Sequence, residues 1–258
     1  MRFRPCIDIH NGKVKQIVGG SLKDAGDFAK ENFVSEFDAA KYASLYKSMD
    51  LYGGHVILLN SKDSPYYEAT KREAVSALSE FPGGLMVGGG INASNASEFI
   101  EAGASHVVVT SYIFEDGNLS FERIKNMTDA VGAKHLVIDL SCREKNGRFY
   151  VVTDRWQTFT DEELTPELLD RLSEYCDEFL IHAVDAEGKK QGVSEAVLKI
   201  MADSKKPVTY AGGVSSFDDI KTIKEIGEGK IDFTIGSALD LFGGDMDFDE
   251  VLRYTKDY

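Results

Sequence analysis

An aspartate inside an apolar run is costly unless it is paired, hydrogen-bonded or put to work. This chain has two such residues: Asp8 in Pro5-Cys-Ile-Asp-Ile9 and Asp139 in Val137-Ile-Asp-Leu140. Each reads either as a structural carboxylate satisfied by backbone donors or as an acid–base group whose pKa burial has raised. Two glycine-rich turns supply a second kind of chemistry. Leu85-Met-Val-Gly-Gly-Gly-Ile-Asn92 and Pro207-Val-Thr-Tyr-Ala-Gly-Gly-Val-Ser215 each close an apolar run and lead into a helical pattern. A strand that ends in Gly-Gly and opens a helix gathers backbone N–H groups and a helix N-terminus at one point, an arrangement suited to phosphate. Gly89, Gly90, Gly212 and Gly213 are therefore expected to bind phosphate. The pair implies a substrate with a phosphate at each end.

The elements that must position these residues repeat as well. Gly88 and Gly212 lie 124 residues apart, and so do His55-Val-Ile-Leu58 and Phe179-Leu-Ile-His182. Ser111 and Ser237 are 126 apart, Asp8 and Asp139 131 apart. Offsets this similar imply a half-chain repeated twice, about 1–131 and 132–258. Apolar runs near 4–9, 55–59, 85–88, 106–110, 135–140, 179–184, 208–211 and 231–235 read as strands. Helical patterns follow near 36–51, 67–80, 93–102, 118–130, 166–176, 193–203, 216–225 and 247–256. Helix starts are expected at Asn92-Ala-Ser94, Thr165-Pro166 and Ser215-Ser216, with stops at Gly103 and Gly227. Strands that read as continuous apolar runs, each followed by a helix, fit an α/β closed barrel, a (β/α)8 TIM barrel in one domain over 1–258. An open doubly wound sheet accounts for the alternation but not for the repeat. Long loops are expected over 19–35 and 141–165.

Composition removes several classes of function. A net charge of −14 leaves no basic stripe for nucleic acid, so phosphate affinity must come from local donors and helix dipoles. Cys6, Cys142 and Cys176 have neither disulfide nor metal spacing, nothing nearby activates Cys6 or Cys142 as a nucleophile, and no metal is expected. No run approaches the ~18 apolar residues of a membrane span, and the N-terminus lacks a signal-peptide core. A cytoplasmic protein with reduced thiols is expected.

With those motifs in place, the chain resembles the phosphoribosylformimino-aminoimidazole carboxamide ribotide isomerases of histidine biosynthesis. That family is a duplicated half-barrel with Ile-Asp in its first strand and two Gly-Gly phosphate turns. Its fourth and eighth strands end in turns like Thr110-Ser111 and Gly236-Ser237. Arg143-Glu-Lys-Asn-Gly-Arg148 and Thr153-Asp-Arg-Trp-Gln157 look like the eukaryotic branch. The resemblance adds Thr110, Ser111, Gly236 and Ser237, with Gly20 and Gly188, to the expected phosphate- and substrate-binding set. It gives Trp156 a role stacking on the imidazole carboxamide, beside a plain reading as a loop anchor. Arg143 and Lys15 are candidates for charge pairing with substrate or else solvated charges. The chain departs from the bacterial pattern, where the fifth strand ends Leu-Asp-x-Arg. Here Leu140-Ser-Cys-Arg143 puts Ser141 in the aspartate's place, and Asp139 lies two residues earlier, on the same face and about one layer deeper. His182 stands where a threonine is usual, Leu58 where an interior aspartate is usual, and Asn60 where a second aspartate is common.

The resemblance implies an Amadori rearrangement. An acid protonates the ribose ring oxygen and opens the ring to a Schiff base. A base then takes the C2′ proton, and the enolamine becomes the ketone. Two facing carboxyl groups with different pKa values suffice, so no cofactor is expected. Asp8 is the expected base, and Asp139 the expected acid, with His182 and Ser141 beside it. The expected partner is a small bisphosphorylated ribotide, handled by a monomer. Two rivals stand: the cyclase subunit of imidazole glycerol phosphate synthase, which shares the half-barrels, and a non-catalytic phosphosugar-binding barrel.

Overall fold

Parallel strands followed by helices recur along the chain and close into a ring. The computed structural model describes residues 1–17, 21, 28–154, 156–186 and 192–256. The ring strands are β1 (Cys6–His10), β2 (Gly54–Leu58), β3 (Leu85–Gly88), β4 (His106–Val109), β5 (Leu136–Asp139), β6 (Glu178–His182), β7 (Val208–Ala211) and β8 (Ile231–Phe233). Their helices are α1 (Ala39–Ser48), α2 (Tyr67–Glu80), α3 (Ala96–Glu101), α4 (Phe121–Val131), α5 (Pro166–Leu172), α6 (Glu195–Ala202), α7 (Phe217–Ile226) and α8 (Phe248–Lys256). Neighbours pair in parallel from β1 to β8. A parallel bridge between Phe3 and Phe233 joins β8 back to β1. Hydrogen bonds from Arg4 N to Phe233 O (2.8 Å) and from Phe233 N to Arg2 O (3.1 Å) seal it. The open sheet is thereby excluded, and the expected strands agree with the observed ones to within two residues.

Side-chain parity explains the two cores. Residues such as Ile7, Ile9, Val56, Val87, Ile138 and Ile181 point outward into a core shared with the helices. Their neighbours point inward, where Met86, Val108, Val137, Leu180 and Ala211 make a small apolar plug. Asp8 and Asp139 fall on the same inward face, among other polar positions. At the N-terminal end of the ring, Arg4 is buried between Asp232 (Nε–Oδ2 2.8 Å) and Glu178 (Nη2–Oε2 3.2 Å), and Thr209 donates to Glu178 at 2.8 Å. Removing one partner of such a buried set typically costs about 3–5 kcal/mol, because the others stay buried and charged.

His55, on β2 above Arg4, is buried, and desolvation followed by the charges of His182 and Arg4 push its imidazole down to about 4. The unfolded chain accepts a proton near 6.5 that the folded chain refuses, so stability falls as pH drops from 6.5 towards 4 and the loss levels off below. The difference corresponds to about 3 kcal/mol. His55→Gln is expected to remove that portion of the pH dependence of the urea midpoint. A variant with the wild-type pH slope would clear His55 of the effect.

Three local expectations are corrected. Residues 141–165 hold an antiparallel sheet of Cys142–Lys145, Arg148–Thr153 and Thr158–Glu163 and not an open loop. Its first turn is Asn146-Gly147 at φ 56° and 78°, the two-residue hairpin whose twist matches its strands. Asn11-Gly12, at φ 53° and 69°, makes the same turn after β1, joining it to Lys13–Ile17, which pairs with Glu31–Val34 within the other expected loop. Finally, α3 does not start on Asn92 or Ser94. Asn92 Oδ1 accepts from Ser94 N at 2.9 Å in a local turn, and the helix begins after Asn95 without a side-chain cap. Thr165 and Ser216 do cap α5 and α7.

Candidate active site

The site is built at the C-terminal ends of the strands. β1 and β5 stand four places apart around the ring in either direction, so their aspartates face each other across the mouth. Asp139 is the last residue of β5, on the same side as Val137, and pairs in register with Leu180 of the inner plug. Asp8 lies between the outward-facing Ile7 and Ile9 and pairs with Ile57.

Asp139 accepts two hydroxyls, Ser141 Oγ at 2.9 Å on Oδ1 and Thr110 Oγ1 at 3.0 Å on Oδ2. Burial raises its pKa, opposed by the charge of His182 and by the hydrogen bonds of Ser141 and Thr110. Ser141 is buried and accepts from Trp156 Nε1 at 3.2 Å. The Trp156 ring stands edge-on to His182, centroids 4.5 Å apart. Asp139, Ser141, His182 and Trp156 thus form one cluster, with Asp8 opposite. Asp8 Oδ2 accepts from Gln16 Nε2 at 3.2 Å.

The glycine turns follow β3 and β7, and their backbones match: φ 96° and 69° at Gly89 and Gly90, 104° and 78° at Gly212 and Gly213. The register is Gly89 with Gly212, an offset of 123, one residue different from pairing Gly88 with Gly212. A Cβ on Gly89 would come 2.1 Å from Leu58 O, and one on Gly213 2.6 Å from Gly192 O. Substitution at either strains the fold directly and does not test phosphate approach alone. Gly90 is different, since a Cβ there meets nothing within 4 Å. Gly90→Ala is therefore expected to lose only about 1 kcal/mol of stability, from its left-handed backbone. It should raise KM several-fold, as a methyl group occupies the space left for phosphate. Substrate titration beside a melting curve checks this, and an unchanged KM would remove the turn from the phosphate site.

The turns after β4 and β8 carry Thr110-Ser111 and Gly236-Ser237, with both serines exposed. Thr110, expected at a phosphate, has its hydroxyl committed to Asp139. Ser111 Oγ accepts from Asp154 N at 3.3 Å, tying β4 to the turn that carries Trp156. Arg143 is partly exposed, and its guanidinium pairs with Asp185 at 3.2 Å and lies over Phe159. Lys15 is buried against Glu31. Leu58 belongs to the outer core, and Asn60 holds the Asn11-Gly12 hairpin through Asn11 N (2.8 Å) and Thr70 (2.7 Å). Burial pushes the Cys142 thiol up to about 12, which leaves it inert as a nucleophile. Gly20 and Gly188 lie outside the described residues.

Sequence reasoning passed over Gln16 and Asp185. Gln16 reaches Asp8 across a hairpin, and Asp185 reaches Arg143 from 42 residues away, so neither contact follows a strand or helix period. The one cue to Gln16 was a polar side chain inside the Val14-Lys-Gln-Ile17 strand.

A family model described as histidine biosynthesis protein matches residues 2–247. A Medicago truncatula protein is 49% identical over 98% of this chain and 81% of its own length. A Neurospora crassa protein is 46% identical over 94% of this chain and 93% of its own. One from Saccharomyces cerevisiae is 42% identical over 99% and 98%. All three are named 1-(5-phosphoribosyl)-5-(5-phosphoribosylamino)methylideneamino-imidazole-4-carboxamide isomerase, the first with the word chloroplastic. Among the described residues no helix is long and apolar enough to cross a membrane.

Proposed function

Because the chain belongs to the histidine biosynthesis protein family, we propose that it is the isomerase that its relatives are named for. It converts N′-(5′-phosphoribosylformimino)-5-aminoimidazole-4-carboxamide ribotide to its phosphoribulosyl isomer. The carrying observation is the crosswise layout of the ring. One phosphate turn set lies at β3 and β4, the other opposite at β7 and β8, and Asp8 and Asp139 flank the line between them. A substrate with a phosphate at each end spans the mouth and passes between the two carboxyl groups.

In this reading Asp139, whose pKa burial raises, gives its proton to the ribose ring oxygen, and the C1′–O bond opens to the imine. Asp8, ionised, takes the C2′ proton; the resulting enolamine tautomerises to the ketone, and the proton gained balances the one given. Each acid–base step contributes roughly 10²–10⁴-fold, and two-point clamping adds to it by orientation. Trp156 stacks on the imidazole carboxamide. Ser141 and His182 hold the acid, and no metal or organic cofactor takes part.

The cyclase and binding-protein readings lose support, since the relatives carry the isomerase name. The reading extends to two half-barrels, about 1–131 and 132–258, in one domain that acts as a monomer. The half-barrel division is supported by the matched backbone of the two glycine turns and of the two Asn-Gly hairpins. A cytoplasmic location is supported by three buried free cysteines. Turnover of the ribotide by the purified chain tests the reading: isomerisation without ammonia is expected. Cyclisation that needs ammonia, or no product at all, would overturn it.

A further inference from the structure

Each candidate carboxylate is tied to the phosphate turn of the neighbouring strand by a neutral side chain. β4 is the ring neighbour of β5, and Thr110, at the mouth of β4, donates its hydroxyl to Asp139 Oδ2 at 3.0 Å. β8 is the ring neighbour of β1, closed on it by the Phe3–Phe233 bridge. The turn after β8 begins at Gly236, and a Cβ there would lie 2.7 Å from Gln16 Oε1. The same Gln16 donates through Nε2 to Asp8 Oδ2 at 3.2 Å and is buried. One relation therefore appears twice, on opposite sides of the mouth, with a different residue type each time.

Neither side chain titrates, so neither can be an acid or a base. What each supplies is a donor that selects one carboxylate rotamer and favours the ionised form. Thr110 is part of a turn where a phosphate is expected to sit, and Gln16 packs against the other such turn at Gly236.

We propose that Thr110 and Gln16 are positioning residues, holding Asp139 and Asp8 in register with the turns of β4 and β8, so that seating each phosphate and aligning the carboxylate beside it are one event. This rests on the isomerase reading above. It separates two tasks that the residues at these turns would otherwise be thought to share, since Thr110 acts on the acid and not on the phosphate.

Both pKa values should rise, but a different limb of the profile reports each. Removing the donor from Asp8, which works ionised, raises its pKa and moves the acid limb of the kcat/KM profile to higher pH. Removing the donor from Asp139, which works protonated, moves the alkaline limb to higher pH. The titratable groups acting at these sites are His182 and Cys142 beside Asp139, and Cys6 and Tyr46 near Asp8. Gln16→Met also removes the contact of Gln16 Nε2 with Cys6 Sγ at 3.8 Å, and Cys6 carries no charge as a thiol.

Thr110→Val, Thr110→Ser and Gln16→Met are compared with the unaltered chain on the ribotide across pH, each with a melting curve. Thr110→Val and Gln16→Met should each lower kcat on the order of tenfold to a hundredfold, with KM little changed, as for misplaced reacting groups. Thr110→Ser should keep most of the rate, and the limbs should move as stated. Loss confined to KM, unmoved limbs, or Thr110→Ser as damaging as Thr110→Val would overturn the proposal. If Gln16→Met does not fold, the Thr110 pair decides alone. Asp8→Asn and Asp139→Asn run alongside. Should those two retain turnover, the acid–base reading itself fails; should they be inactive while Thr110→Val and Gln16→Met match the unaltered chain, only the positioning role falls.

Discussion

Asp8→Asn is expected to abolish turnover while folding and binding of a bisphosphate analogue persist. The amide has the carboxylate's shape, and its oxygen can still accept from Gln16 Nε2, now 3.2 Å from Asp8 Oδ2. The half-buried site therefore loses no packing and keeps its hydrogen bond. What disappears is the ability to take a proton from C2′, and no other carboxylate of β1 is placed to replace it. Loss of a general base costs roughly 10²–10⁴-fold, and here the step cannot proceed by binding alone. The measurements are kcat by product formation, analogue affinity by calorimetry, and the melting temperature. A variant near the wild-type rate would move the base elsewhere.

Asp139→Asn should lose a comparable factor in kcat, with His182→Ala intermediate and Ser141→Ala mildest. Burial holds the Asp139 carboxyl above its ordinary range, so it remains protonated at a pH where an exposed aspartate has ionised. That is the condition a ring-opening acid must meet, and the alkaline limb of the rate profile should report it. His182 lowers the same pKa through its charge, so His182→Ala should shift that limb upward as well as reduce the rate. Ser141 serves two partners, donating to Asp139 and accepting from Trp156 Nε1. Its loss leaves the Thr110 hydroxyl on the acid, so much of its effect should fall on KM through an unpinned Trp156. If Ser141→Ala proved the most damaging of the three, the acid would have to be reassigned, most directly to His182.

The barrel was legible in the chain because both of its cues lie in the order of residue types. Continuous apolar runs such as Val107-Val-Val109 read as strands buried on both faces, and the repeat of strand, glycine turn and helix half a chain later limits how they close. Asp8 and Asp139 stood out for the same reason, as charges set in apolar runs. The glycine turns were equally plain, because positive φ at Gly89 and Gly212 demands a residue without Cβ wherever the chain is met. The helix start at Asn92 was misread because asparagine stabilises an isolated turn as readily as it caps a helix.

The sequence by itself determined the strands, the helices, the repeat and the residue types at the mouth, since all of these depend on neighbours along the chain. Only the tertiary structure decided which of those residues meet. Gln16 on Asp8, Thr110 on Asp139, and Trp156 on both Ser141 and His182 are contacts between elements that no periodicity relates. The free energy of a hydrogen bond to a buried carboxylate depends on its distance and its surroundings, and both exist only after the ring has closed. For the same reason Arg143 and Lys15, which read as open charges, turned out to be paired with Asp185 and Glu31.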